Sequence, residues 1–152
     1  MSRDQLLQAL NWQFRAISAN SVMFSQVVAE KVGLHSTDTE CLDFLLQNGA
    51  STAGQLSKLT GLTTGAVTAM VDRLEKAGFV RREHDQEDRR RVIVIPNEDK
   101  INREITPHVM PMGVALDSVA AQFSDEELEV VLRFITRANE EAAQVITQAR
   151  GS

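Results

Sequence analysis

At Gly78 the helical apolar period of this chain gives way to short strand-like runs. On the N-terminal side, Val67, Met70, Val71 and Leu74 recur at i, i+3, i+4 and i+7, one face of a helix. Thr63 or Thr64 can cap that helix, which runs to Ala77. A shorter helix over Ala53–Thr60 precedes it, capped by Thr52 and broken by Gly61. Gly61-Leu62-Thr63 joins the two, and two helices on a short turn containing glycine form a helix-turn-helix. On the C-terminal side, Phe79–Glu83 and Arg91–Ile95 read as short strands, the second carrying Val-Ile-Val-Ile and ending at Pro96. The polar, arginine-tipped segment 84–90 makes the pair a hairpin, and a hairpin directly behind a helix-turn-helix is a wing.

Long helical patterns flank this centre. Leu6, Leu10, Phe14, Ile17, Phe24 and Val28 predict a helix of about 25 residues closed by Gly33, and Val22, Met23 and Val27 widen its apolar face. Ser36 to Glu40 opens the next helix, with Thr37 and Glu40 spaced as a capping box. Leu42, Leu45 and Leu46 form its inner face, and Gly49 stops it. Beyond the wing, Ile101, Ile105, Val109, Met112, Leu116, Val119 and Phe123 make a further stripe, which Pro107 and Pro111 are expected to kink or break. Ser124 and Glu127 fit a second capping box, opening a last helix that carries Leu128, Val131, Leu132, Ile135, Ala142 and Val145 or Ile146.

The expected fold is mainly α with a small β-hairpin wing (α+β): a winged helix-turn-helix with long N- and C-terminal dimerisation helices. Residues 1–34 would form the N-terminal part of the dimer region, 35–97 the winged helix-turn-helix and 98–152 the C-terminal dimer helices. A helix of about 25 residues spans nearly 40 Å, more than the small centre needs. Burial in a twofold homodimer is the economical alternative, since most soluble oligomers are C2 dimers.

Charge narrows the function. The net charge is −5, which argues against a generic polycation. Residues 54–91 nevertheless hold eight basic and six acidic residues, while the remainder holds eight basic and fifteen acidic. Such asymmetry hints at a polyanion partner. No apolar run is long enough for a transmembrane helix, the N-terminus lacks the order of a signal peptide, and the single Cys41 makes no internal disulfide. A cytoplasmic protein without a membrane partner is expected.

The run Thr60-Gly61-Leu62-Thr63-Thr64-Gly65-Ala66-Val67-Thr68 is followed by Asp72-Arg73-Leu74-Glu75-Lys76-Ala77-Gly78-Phe79-Val80-Arg81-Arg82 and then by Asp88-Arg89-Arg90-Arg91. Together with chain length and helix order, these resemble the multiple-antibiotic-resistance regulator (MarR) family of bacterial transcription factors. The resemblance implies a dimer binding a palindromic promoter site as a repressor, released by a small ligand or an oxidant. It places Arg90 in the minor groove, with Asp88 holding it or a neighbour. Arg89 and Arg91 extend that patch. On the recognition helix, Thr63, Thr64 and Gly65 are candidates for phosphate contact, and Thr68 and Arg73 for base edges or nearby phosphates. Arg82, like Arg81, suits either a phosphate contact or an internal pair.

The signal is less legible. Family members often hold aromatic or phenolic ligands between the dimer helices and the DNA-binding lobe, and Trp12, Phe14, His35 and Met112 are candidates to line such a cleft. A redox switch would act through Cys41, which has no basic neighbour in sequence to lower its pKa. No cofactor is expected, and His35, His84 and His108 are too dispersed for a metal site. There is no P-loop, nucleophile elbow or metal motif, so an enzyme is not expected. A winged helix used only for protein–protein contact is the main rival reading, and activation rather than repression is the alternative within the leading one.

Overall fold

The computed structural model describes residues 1–85, 88 and 91–151. The chain forms two compact units, Met1–Val109 and Met110–Ser152. The first contains α1 (Arg3–Val32), α2 (Ser36–Asn48), β1 (Ser51–Thr52), α3 (Ala53–Thr60), α4 (Thr64–Lys76), β2 (Val80–His84), β3 (Val92–Pro96) and α5 (Glu98–Glu104). It also holds the first turn of α6 (Thr106–Ala120), whose remainder joins α7 (Asp125–Gly151) in the second unit. The helix-rich fold with a small antiparallel sheet matches the sequence expectation.

One strand escaped the sequence reading. Among the described residues the sheet has three strands in the order β1-β3-β2. The hairpin pairs Val80 with Pro96 through His84 with Val92, while Ser51 pairs with Val94 and Thr52 with Ile93. A two-residue strand is too short to show alternation. Thr52 also serves as N-cap of α3: its Oγ1 accepts from the Gln55 N–H at 3.3 Å, and Gln55 Oε1 accepts from the Thr52 N–H at 2.7 Å. That capping box ties the sheet edge to the start of the helix-turn-helix.

The first unit's core is drawn from every element around α4. Leu42 and Leu45 of α2, Leu56 of α3, Val67, Met70, Val71 and Leu74 of α4, Val94 of β3 and Ile101 of α5 are almost fully buried. Each such side chain contributes roughly 1.5–3 kcal/mol by leaving water. Asn97 closes the base of the hairpin. Its N–H donates to the Phe79 carbonyl at 2.8 Å, its Nδ2 donates to the Gly78 carbonyl at 3.1 Å, and its Oδ1 accepts from the Lys100 N–H at 3.2 Å.

Two expected helix boundaries shift. α2 starts at Ser36, and its cap is not the Thr37–Glu40 pair: the His35 N–H donates to Asp38 Oδ2 at 3.2 Å. The interruption in the long C-terminal stripe falls at Ile105, between α5 and α6. Pro107 has no N–H to bond the carbonyl one turn back and its ring crowds that carbonyl, which opposes one continuous helix here. Pro107 itself lies in the first turn of α6, where a missing N–H leaves no bond unmade, and Pro111 lies inside the continuing helix.

In the second unit, Ser124 and Glu127 form the expected capping box, with Oγ accepting from the Glu127 N–H at 3.3 Å and Glu127 Oε2 accepting from the Ser124 N–H at 2.8 Å. Val114, Leu116 and Val119 of α6 and Val131, Leu132, Ile135 and Val145 of α7 are exposed. On α1, Leu6, Ile17, Val22, Met23 and Val27 are exposed as well.

Candidate nucleic-acid interface

The turn before α4 is held locally. Gly61 adopts φ 68°, a left-handed conformation that favours glycine, and its N–H returns to the Ser57 carbonyl at 2.8 Å. Ser57 Oγ donates to the Leu62 carbonyl at 2.7 Å. Thr63 is the N-cap, its Oγ1 accepting from the Ala66 N–H at 3.3 Å. With Val67, Met70, Val71 and Leu74 buried, the opposite side of α4 presents Thr64, Gly65, Thr68, Ala69 and Asp72 to solvent.

Arg73 and Arg82, two of the arginines named above as candidates for DNA contact, pair with acids of the protein itself. Arg73 grips Asp38 of α2 with both arms of its fork: Nε donates to Oδ2 at 3.2 Å and Nη2 to Oδ1 at 2.6 Å. The Asp38 side chain is 1% exposed and that of Arg73 is 43% exposed. The hydrogen bonds to Asp38 raise the pKa of Arg73 above its ordinary value. Arg82 of β2 donates Nη2 to Asp72 at 2.6 Å and Nη1 to Glu75 at 2.6 Å, and its backbone N–H also reaches Glu75 at 3.1 Å. A longer contact runs from Nη2 to the Thr68 carbonyl at 3.4 Å. Burial disfavours the charge on Arg82, but the bonds to Asp72 and Glu75 outweigh it and its pKa stands above the ordinary value. α4 is therefore clamped from α2 on one side and from the wing on the other, at neighbouring residues of its C-terminal half.

Sequence reasoning missed Asp38. It lies 35 positions from Arg73, and an acid in the first turn of a helix reads as a dipole or capping residue. Nothing local marks it as the anchor of the recognition helix.

In the wing, Asp88 Oδ2 lies 3.6 Å from Arg91 Nε, and the Arg91 N–H donates to the Asp88 carbonyl at 2.8 Å. Arg81 donates to Glu83 at 2.7 Å. Arg89 and Arg90, assigned above to the DNA contact, lie outside the described residues.

Of the four effector candidates, Trp12, Phe14 and His35 belong to the first unit. Trp12 is 64% exposed on α1, with Arg15 stacked 5.7 Å from its ring centroid, and Phe14 is at the margin of exposure. His35 follows the other end of α1, about 30 Å of helix from Trp12 at 1.5 Å per residue. Met112 belongs to the second unit. Among the described residues, no group of His, Cys, Asp and Glu is arranged to hold a metal ion. Cys41 is fully buried, and burial, reinforced by Asp38, pushes its thiol up to about 12. Alkylation of Cys41 by iodoacetamide at pH 8 is therefore expected to be at least about a thousandfold slower in the folded protein than after unfolding, since only the thiolate reacts. Comparable rates, followed by mass spectrometry, would show an accessible thiol.

The model of the MarR family matches residues 34–92, the span from the end of α1 to the start of β3. Over 137 residues the chain is 40% identical to the uncharacterized HTH-type transcriptional regulator YcgE of Bacillus subtilis, covering 90% of this chain and 88% of that one. This chain belongs to the MarR family. Among solved structures, a MarR family protein from Bacillus stearothermophilus superposes with a TM-score of 0.73 at 27% identity, covering 93% of this chain and 99% of that one. A crystal structure of MarR shares the fold, with a TM-score of 0.60 at 23% identity over 89% of this chain and 98% of that one. The chain is thus a MarR-family transcriptional regulator, a class that binds DNA through its winged helix. No helix among the described residues is long and apolar enough to cross a membrane.

Proposed function

We propose that this MarR-family regulator works in the cytoplasm as a homodimer on palindromic promoter sites, repressing transcription until a small-molecule effector releases it. The observation that carries the dimer is the apolar surface of α1, α6 and α7. Leu132 is 67% exposed, Val145 63% and Met23 63%, although the first unit already has a closed core of its own. Exposed apolar surface on this scale marks an interface. Residues 35–97 then carry DNA recognition, while 1–34 and 98–152 supply the dimer.

Each lobe places α4 in the major groove, with Thr63, Thr64, Gly65 and Thr68 foremost, and sets the wing's Asp88, Arg89, Arg90 and Arg91 against the minor groove. Half-sites lie about 34–36 Å apart, one turn of DNA. Arg90→Ala is expected to weaken binding by roughly 1–3 kcal/mol, the range for one good contact, and a gel shift at matched salt measures it. Unchanged affinity would remove Arg90 from the interface.

Arg73 and Arg82 support α4 from within. Arg82→Gln leaves Asp72 and Glu75 facing a polyanion without their cation. Binding is expected to fall at least about tenfold at low salt, while stability falls by no more than about 1 kcal/mol, since such half-exposed pairs contribute little to folding. Gel shift and denaturation on the same preparation separate the two. An unaltered affinity would contradict the assignment.

Release works by favouring a lobe spacing that mismatches DNA, for which a coupling of about 1–3 kcal/mol suffices. An aromatic or phenolic effector in a cleft of the dimer has Trp12, Phe14, His35 and Met112 available to line it. Trp12 and His35 can share one cleft only from different chains. A thermal-shift screen of aromatic acids, repeated with operator DNA present, tests this: an effector raises Tm alone and lowers affinity for DNA. A library without such a compound, in a protein that binds DNA tightly, would favour a regulator without a small-molecule release step.

A further inference from the structure

The first half of α4 carries no long donor to read a base edge. Its outward residues are Thr64, Gly65, Thr68 and Ala69, and the guanidiniums of Arg73 and Arg82 are held by Asp38, Asp72 and Glu75. Thr68 is exposed, yet its hydroxyl is not free to donate: Oγ1 donates to the Thr64 carbonyl at 3.0 Å. A threonine whose hydroxyl turns back on its own helix presents its γ-methyl instead. Beside it, Ala69 offers only a methyl, and Gly65 has open space where a Cβ would stand. In the major groove the base feature that complements a methyl group is the 5-methyl of thymine.

We propose that Thr68, seconded by Ala69, is a specificity-determining residue that selects a thymine in each half-site through its 5-methyl group rather than by a hydrogen bond. This rests on the reading above, that α4 enters the major groove. Asp72, the other outward residue here, is neutralised by Arg82 and so does not oppose that approach.

The test begins with duplexes selected from a randomised DNA library by the full-length protein. In the selected duplex each thymine is replaced in turn by deoxyuridine, which deletes only the methyl. One position per half-site is expected to lose about fourfold in affinity, and about fifteenfold with both halves replaced, as one lost methyl contact predicts. Thr68→Val keeps the methyl and should bind the selected duplex nearly as well, with the same uracil penalty. Thr68→Ser keeps the hydroxyl and should lose both the affinity and the penalty. Ser and Val have similar helix propensities, so folding is a poor explanation for opposite outcomes. Tight binding with every uracil tolerated would overturn the proposal while leaving the major-groove reading standing. So would Thr68→Ser retaining selectivity that Thr68→Val loses. Failure to select any duplex would bring down the major-groove reading itself.

Discussion

Replacing Arg73 by alanine is expected to destabilise the first unit by about 3 kcal/mol, the lower end of the range for removing one partner of a buried ion pair. The lower end applies because water can follow the exposed side of Arg73 into the gap, although Asp38 itself is 1% exposed. For a chain of 152 residues this corresponds to a fall in Tm of about 6–12 °C. Arg73→Lys is expected to recover only part, because an ammonium cannot reproduce the fork that engages both carboxylate oxygens. Asp38→Leu combined with Arg73→Met removes both charges and is expected to be far more stable than Arg73→Ala alone. Denaturant titrations report each value, with an unchanged slope as the sign that only stability moved. A loss below about 1 kcal/mol for Arg73→Ala would place the pair with ordinary surface bridges.

The second large effect concerns α7. Val131→Glu together with Val145→Glu puts two charges on a face that is exposed in the single chain, 45% and 63% respectively, so neither unit loses core packing. Light scattering is expected to show the particle mass falling from twice the chain mass to 16.8 kDa. Affinity for a two-half-site duplex is expected to drop by about 10²–10⁴, the gain that linking two binding lobes supplies. A variant that stays dimeric would move the interface to α1 and α6.

The central elements were legible because their signals are local. Thr63 caps α4, Gly61 and Gly33 take left-handed conformations at helix ends, and the Ser124–Glu127 box opens α7, each determined within four residues of chain. Val92 to Pro96 shows itself as a β-branched apolar run ended by proline, whereas β1 shows nothing because two residues carry no pattern. Long-range partnerships were not legible. An internal pair was already open for Arg82 in the sequence, but the partners were not: Asp38 of α2 for Arg73, and Asp72 and Glu75 of α4 for Arg82. The Thr37–Glu40 spacing fits a capping box, yet Asp38 takes the His35 N–H while also receiving Arg73, because one carboxylate there serves both. Sequence spacing shows which groups can meet, and packing decides which of them do.

Two chains are expected to read one palindrome through α4 and the wing. Footprinting of the purified dimer on DNA upstream of its own gene, at low salt, tests it most directly. Two protected half-sites about 10 base pairs apart, centre to centre, with steep loss of protection as salt rises, are the expected result. An intact dimer that leaves no footprint there, and selects none from random duplexes, would contradict the account and make this winged helix a protein-interaction module.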